Sequence, residues 1–214
     1  MAEAGTRTPR ERYRSQMCAE IKEHAWAQIA TAGASALSLN AIARQMGMSG
    51  PALYRYFANR DELITELITD AYRSLADTFR AAAASGADLT ALAHALRTWA
   101  LDDPQRYFLI YGTPVPGYHA PDDVTAIASE IMTPVLDACA ALPSDDPATP
   151  LDDHLASHRQ WTESQAPSVA LRRALTFWTR LHGILSLELA GHFDGMGFDP
   201  AQLFTAELDA LSAP

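Results

Sequence analysis

The chain has 214 residues, 48% of them apolar and 20% charged, with a formal net charge of -10, values that exclude wholesale disorder and allow a sizeable core. No run approaches the roughly 18 uninterrupted apolar residues of a membrane span, and the first fourteen residues carry charges without the apolar stretch of a secretory signal. Two cysteines, Cys18 and Cys139, exclude a disulfide framework and have no metal-ligand spacing, which makes a reduced cytoplasm the expected compartment.

Alanine is abundant, alternating β-branched patterns are absent, and the punctuation is that of helix starts and stops, so an all-α fold is expected. Thr8-Pro9-Arg10-Glu11 combines an N-cap, a proline at the first helical position and a capping-box Glu. Met17, Ile21, Ala25 and Ile29 then share one face of a helix over 10–32 that Gly33 stops. Asn59-Arg60-Asp61-Glu62 reads as a second capping box. It opens a long helix with Leu63, Leu67, Ala71, Leu75 and Phe79 on one stripe, ending near Gly86. Asp88 caps a helix to about Leu101, and Asp103-Pro104 starts a short one carrying Tyr107, Phe108 and Tyr111. Residues 112–117 form a loop with two prolines and two glycines. Pro121-Asp122-Asp123 begins a helix expected to kink or break at Pro134. After the linker-like 143–150, a weakly patterned helix over 151–165 precedes helices at about Pro167–Ala190 and Pro200–Leu211.

The charge is unevenly placed. Residues 1–60 hold eight basic against four acidic groups, and residues 61–214 hold eight against 22. Such asymmetry hints at a nucleic-acid end and a second, different end, although chance clustering accounts for charge alone equally well.

Residues 38–57, SLNAIARQMGMSGPALYRYF, carry more than charge. Ser38 caps a short helix with Ile42, Ala43 and Met46 inward, Gly47 suits a left-handed turn, and Ser49 caps a second helix with Leu53 and Phe57 inward. Two such short helices need the helix at 10–32 as a third wall. That is the plan of a helix-turn-helix, whose second helix enters a major groove about 12 Å wide. Its outward residues are Ser49, Gly50, Ala52, Arg55 and Tyr56, flanked by Tyr54. Small residues permit close approach to base edges, while Tyr54, Tyr56 and Arg60 offer groups for phosphates.

Leu39, Ile42-Ala43, Gly47-Met48-Ser49, Leu53-Tyr54-Arg55-Tyr56-Phe57 and Arg60-Asp61-Glu62-Leu63 together resemble the signature of the tetracycline-repressor (TetR) family over about residues 12–75, without a gap in register. Met48 stands where that family has Val or Ile, and Gly50 offers no side chain at a frequent base-reading position. The resemblance implies phosphate contacts from Tyr54, Tyr56 and Arg60 and base-facing positions at Asn40, Gly50, Pro51 and Ala52. Ser38, Leu39, Arg44, Ser49 and Arg55 complete the expected DNA-binding set. Trp178, His182-Gly183 and Leu187-Glu188 resemble the W-x-x-x-H-G marker of one set of TetR-type ligand-binding domains.

The resemblance implies a DNA-binding domain over 1–60 with a connector helix at about 60–85, and an effector-binding and dimerisation domain over 86–214. Its partners would be a pseudo-palindromic DNA duplex, a second copy of the chain and a small effector, with no membrane, cofactor or catalytic metal. Trp99, Tyr107, Phe108, Tyr111, Ile127, Ile131, Phe177, Trp178 and His182 are the candidate pocket wall; Trp99, Tyr107, Phe108, Tyr111 and Trp178 are equally consistent with plain core, and at His182 a satisfied core or pocket histidine outweighs a ligand-contacting one. Few of them are polar, and the surrounding half is acidic, so a neutral or cationic apolar effector fits better than an anion. Leu175, Gly183, Ser186, Leu189, Ala190, Leu203, Phe204 and Leu208 are the candidate dimer interface, a four-helix bundle from the last two helices of each subunit. Two alternatives stay open: a DNA-binding protein without a small effector, and a helical metal-dependent enzyme. For the latter the sequence offers only His154 and His158 beside Asp152 and Asp153.

Overall fold

The computed structural model describes residues 8–119, 121–143, 147–162 and 164–212, and among them the regular structure is all helical. The chain divides into two compact units: Met1–Thr69 with Thr113–Ala120, and Asp70–Gly112 with Pro121–Pro214.

In the first unit α1 spans Pro9–Ala32. Its start is set by Thr8, whose hydroxyl accepts from the Glu11 N–H at 3.3 Å while the Glu11 carboxylate accepts from the Thr8 N–H at 2.7 Å. Gly33, at φ 77°, ends it. A short 3-10 turn at Ala34–Ala36 leads to α2, Leu39–Gln45, capped by the Ser38 hydroxyl on the Ala41 N–H at 3.3 Å. Gly47 makes the expected left-handed turn at φ 65°, a conformation costly for any residue with a Cβ.

The second helix of the motif, α3, is a single turn over Gly50–Leu53, continued to Phe57 by turns in which the N–H groups of Tyr56 and Phe57 both donate to the Leu53 carbonyl. Ser49 holds the N-cap position, but its hydroxyl makes no cap bond, because the Ala52 N–H donates to the Ser49 carbonyl instead. α4 runs from Arg60 to Ala84. At its start Asn59 Oδ1 accepts from the Glu62 N–H at 2.8 Å, while the Glu62 carboxylate takes the Ala58 N–H in place of the Asn59 N–H of a standard capping box. Ile21, Ala25, Ile29, Leu37, Leu39, Ile42, Ala43, Leu53, Phe57, Leu63, Ile64, Leu67 and Ile68 are buried in the core of this unit. Val115 is also buried, and the Tyr118 and Thr65 hydroxyls lie 3.1 Å apart.

The second unit holds the rest of α4 with α5 (Leu89–Asp102), α6 (Pro104–Tyr111), α7 (Asp122–Ala141), α8 (Pro150–Ser157), α9 (Ser168–Leu189) and α10 (Pro200–Ser212). Asp88 and Asp103 cap α5 and α6 as the sequence indicates, accepting from the N–H groups of Ala91 and Arg106. α9 is the central helix, packed against α5, α7, α8 and α10, and Leu171, Ala174, Phe177, Leu181 and Leu185 are buried along it.

Two expectations change here. Of the kink or break expected at Pro134, the break does not occur: α7 continues through the proline, which costs the Glu130 carbonyl its helical donor, and Ile131, Val135 and Leu136 around it are all 1% exposed or less. Burial on both sides of the proline outweighs the lost bond. α8 stops at Ser157 instead of reaching 165. The Arg159 guanidinium donates to the carbonyls of Ser164 and Ala166, at 3.1 and 2.7 Å, so the chain after α8 is held by a side chain in place of a helical ladder.

Candidate functional site

α2 and α3 bring most of the expected DNA-facing residues onto one surface. Asn40, Arg44, Ser49, Pro51, Tyr54 and Arg55 are exposed, and Ser38, Gly50, Ala52, Tyr56 and Arg60 are half-buried. A Cβ added to Gly50 would lie 3.4 Å from Asn40 Oδ1, so the first turn of α3 sits against the exposed amide of α2. Between Glu23 and Asp61 the sequence has no acidic residue and three arginines, Arg44, Arg55 and Arg60, so this stretch carries net positive charge.

Two members of the set do something else. Leu39 is 5% exposed and its side chain belongs to the core, because the first helical residue of α2 turns inward. The Arg60 guanidinium donates to the carbonyls of Ala34 and Ser35, at 2.9 and 3.3 Å, with Asp61 3.6 Å away. It therefore ties the 3-10 turn to α4. Arg60→Ala is accordingly expected to lower Tm together with DNA affinity, whereas Arg44→Ala lowers affinity and reduces the salt slope by about 1 with Tm unchanged. Paired melts and salt titrations of the two variants check this.

Arg14 is a contributor that sequence reasoning passed over. Its guanidinium donates to the Arg55 carbonyl at 3.0 Å and lies 5.5 Å from the centre of the Tyr56 ring. Its place in a basic run was the available signal, but the partner lies 41 residues away.

In the second unit the candidate pocket residues share one core. Trp99, Tyr107, Ile127, Ile131 and Phe177 are all 6% exposed or less, with Phe108, Tyr111 and Trp178 packed against them. Trp99 donates its indole N–H to Ser74 Oγ at 3.1 Å. The polar centre is Tyr107, whose hydroxyl lies 2.9 Å from His182 Nδ1 and 2.8 Å from Ser186 Oγ. The His182 ring sits 4.3 Å from each of the Tyr111 and Trp178 ring centres and stacks at 5.5 Å on Tyr107. Its other nitrogen, Nε2, is buried and has no hydrogen-bond partner among the described residues.

Burial pushes His182 down to about 4 and pushes both Tyr107 and Tyr111 above the usual phenol range. At neutral pH the site therefore holds a neutral imidazole among neutral phenols. An unfolded histidine gains its proton near pH 6.5, while the folded one resists until about 4. Stability is accordingly lost as pH falls across that window. His182→Gln is expected to flatten the fall of Tm between pH 7 and 4, which thermal melts at several pH values measure.

The proposed dimer surface is narrower than the sequence suggests. Phe204 and Leu208 are 0% and 1% exposed, buried in their own subunit, with the Arg97 guanidinium 5.7 Å and the His94 ring 6.2 Å from the Phe204 ring. Ser186 is bonded to Tyr107, and Leu175 and Leu189 pack on the same core. Gly183, Ala190 and Leu203 are exposed, joined by Leu187, which the sequence reading left out. Arg180 and Glu207 pair at 2.7 Å between α9 and α10.

His154 and His158 stack at 4.1 Å, but His158 Nδ1 lies 2.8 Å from the His154 carbonyl, and Asp152 turns away to Arg172. Among the described residues no group of three or more His, Cys, Asp or Glu side chains is placed to hold a metal. A separate pocket of about 200 Å³, lined by Leu89, Arg172, Arg173, Thr176, Phe177 and Arg180 among others, shares only Phe177 with the expected wall.

Comparison with known proteins bears on both units. Residues 21–67 match the family model of bacterial regulatory proteins of the tetR family, and residues 89–211 match the tetracyclin repressor-like C-terminal domain. The HTH-type transcriptional regulator Rv1816 of Mycobacterium tuberculosis is 38% identical over 216 aligned positions, covering 94% of this chain and 92% of the relative. The crystal structure of the regulatory protein SCO4313 superposes with a TM-score of 0.91 at 72% identity, covering 97% of this chain and all of the other. A protein of unknown function from Rhodococcus sp. RHA1 shares the fold at a TM-score of 0.66 and 21% identity, over 99% of this chain and 97% of that one.

Proposed function

This chain belongs to the TetR family of DNA-binding transcriptional regulators, and from that premise we propose that it is a cytoplasmic homodimeric repressor, released from a pseudo-palindromic operator by a small apolar effector. The observation that carries the effector reading is Nε2 of His182, unpaired among the described residues and buried within an aromatic shell of Tyr107, Tyr111 and Trp178. A buried polar atom without a partner costs free energy, and a ligand hydrogen-bonding group placed there removes that cost. The imidazole is neutral at physiological pH, and the surrounding half of the chain is acidic, which favours an uncharged or cationic apolar molecule over an anion.

Coupling to DNA follows the chain. α6 carries Tyr107, Phe108 and Tyr111, then passes through Gly112 into residues 113–119, which cluster with the DNA-binding unit through Val115 and the Tyr118–Thr65 contact. An effector that re-pairs His182 and displaces Tyr111 thus acts on a segment covalently joined to the operator-reading part. It shifts the population toward a form whose two recognition helices no longer match successive grooves. In this reading residues 1–60 bind DNA, α4 connects, and 86–214 bind effector and partner subunit. Gly183 and Ala190 permit close approach of paired α9 helices, with Leu187 and Leu203 as apolar contacts.

The test begins with selection of bound duplexes from random DNA, followed by release assays against charged and apolar compound libraries and light scattering at micromolar concentration. A two-fold site, a dimer, and release by an uncharged or cationic apolar compound are the expected results. Release by anionic metabolites alone overturns the effector chemistry, and a monomer overturns the assembly. Release by nothing favours an effector-free regulator.

A further inference from the structure

The start of α1 has a feature that the helix-turn-helix itself does not require. Residues 8–16 are all exposed, so more than two turns of helix project ahead of the buried residues that begin at Ile21. Helical order there is secured by the Thr8–Glu11 capping box, in which the one acidic side chain of the stretch is turned back onto Thr8. What remains outward is Arg10, Arg12, Tyr13 and Arg14, with Tyr13 60% exposed.

Arg14 fixes where this projection lies. Its bond to the Arg55 carbonyl and its position over Tyr56 hold the stretch beside the end of the recognition segment, next to the exposed Tyr54 and Arg55. Arg10 is one helical turn further out on the same face as Arg14, and Tyr13 neighbours Arg10 at i+3. Arg12 points to the opposite side of the helix.

We infer that the projecting turns of α1 form a second DNA-contact surface, in which Arg10 and Tyr13 engage backbone phosphates of the duplex flanking the half-site read by α3, while Arg14 holds the projection at the required distance. The partner is duplex DNA because Arg14 places these groups beside Arg55 and Tyr56, within the stretch 24–60 that has no acidic residue, and because a guanidinium and a phenol in this arrangement match phosphate oxygens. The inference rests on operator binding by α2 and α3, and its test separates the two.

The full-length protein is titrated with a selected operator in two lengths, one ending at the half-site edges and one extended by about six base pairs, roughly 20 Å, on each side. The double variant Arg10→Gln, Tyr13→Phe is expected to bind the extended duplex about ten-fold more weakly than the parent. Its salt slope should be smaller by about 0.9 per protomer, the value for one lost phosphate contact. On the short duplex, which lacks the flanking phosphates, both proteins bind alike. Equal affinity and equal slope on the extended duplex overturn the inference, as does an equal loss from Arg12→Gln, which would signal a general field in place of a contact. Arg44→Ala and Tyr54→Phe serve as the reference: they are expected to weaken binding to both duplexes. If they do so while the Arg10 variant does nothing, the inference alone fails. If they have no effect, or no duplex is selected, the operator reading fails and takes the inference with it.

Discussion

Asp152→Ala is expected to destabilise the protein by about 3 kcal/mol at neutral pH, lowering Tm by roughly 6–12 °C for a chain of this size. Asp152 is 1% exposed, and both of its oxygens accept from the Arg172 Nε–H, at 3.0 and 3.1 Å. The Thr149 N–H and hydroxyl donate to the same carboxylate at 2.8 and 2.7 Å. Truncation leaves these donors without their acceptor and strips α8 of its capping box. The figure belongs at the low end for a broken buried pair because the Arg172 side chain keeps 22% of its exposure and can be rehydrated.

The pH profile identifies the cause. Burial by itself would raise the Asp152 carboxyl, but the Thr149 and Arg172 contacts outweigh it and hold the group below the ordinary carboxylate value. A depressed folded-state value means that the stabilisation is complete above the unfolded value near 4 and disappears as pH falls through the folded one. The gap between parent and variant is therefore constant from about pH 5 to 8 and closes below about 4. Urea melts across that range measure it. A gap under 1 kcal/mol, or one unchanged at pH 3, would show that the ion pair is not what anchors α8 to α9.

The second large effect is in the DNA-binding unit. Phe57→Ala removes a ring that is 3% exposed from a core of about a dozen side chains, at an expected cost of about 3–5 kcal/mol. So small a unit has little stability to lose, so DNA binding is expected to vanish. Hydrogen exchange should show protection lost over residues 21–68 and kept in the helices of the second unit, α5–α10. Uniform loss of protection in both units would mean that they unfold as one. Retained operator affinity would mean that the recognition segment does not depend on Phe57.

Much of this architecture is local and could be read directly. Thr8, Ser38, Asp88, Asp103 and Asp199 each accept from an N–H two or three residues ahead, so cap and helix start are visible within one turn of sequence. The same holds for Gly47 at φ 65° and for the stripe Leu63, Leu67, Ala71, Leu75 and Phe79, all 0% exposed. The surface of α2 and α3 was legible for that reason: fixing which side chains are inward fixes which are outward.

The partners of long polar side chains were not legible. Arg60 has the right residue type for phosphate, yet it spends its donors on carbonyls 25 and 26 positions back, and Arg14 finds one 41 positions ahead. Tyr107 meets His182 across 75 positions and Ser186 across 79, which turned a supposed interface serine into part of the aromatic site. Phe204 and Leu208 lie on an apolar stripe that the sequence could assign to a partner subunit, and the packing of α10 on α5 and α9 decided otherwise. Sequence periodicity and caps act over one helical turn, about 5.4 Å, so they determined the helices and their buried faces. Which helix covers which face, and which guanidinium reaches which carbonyl, depends on contacts between residues far apart in the chain, and only the tertiary structure decided those.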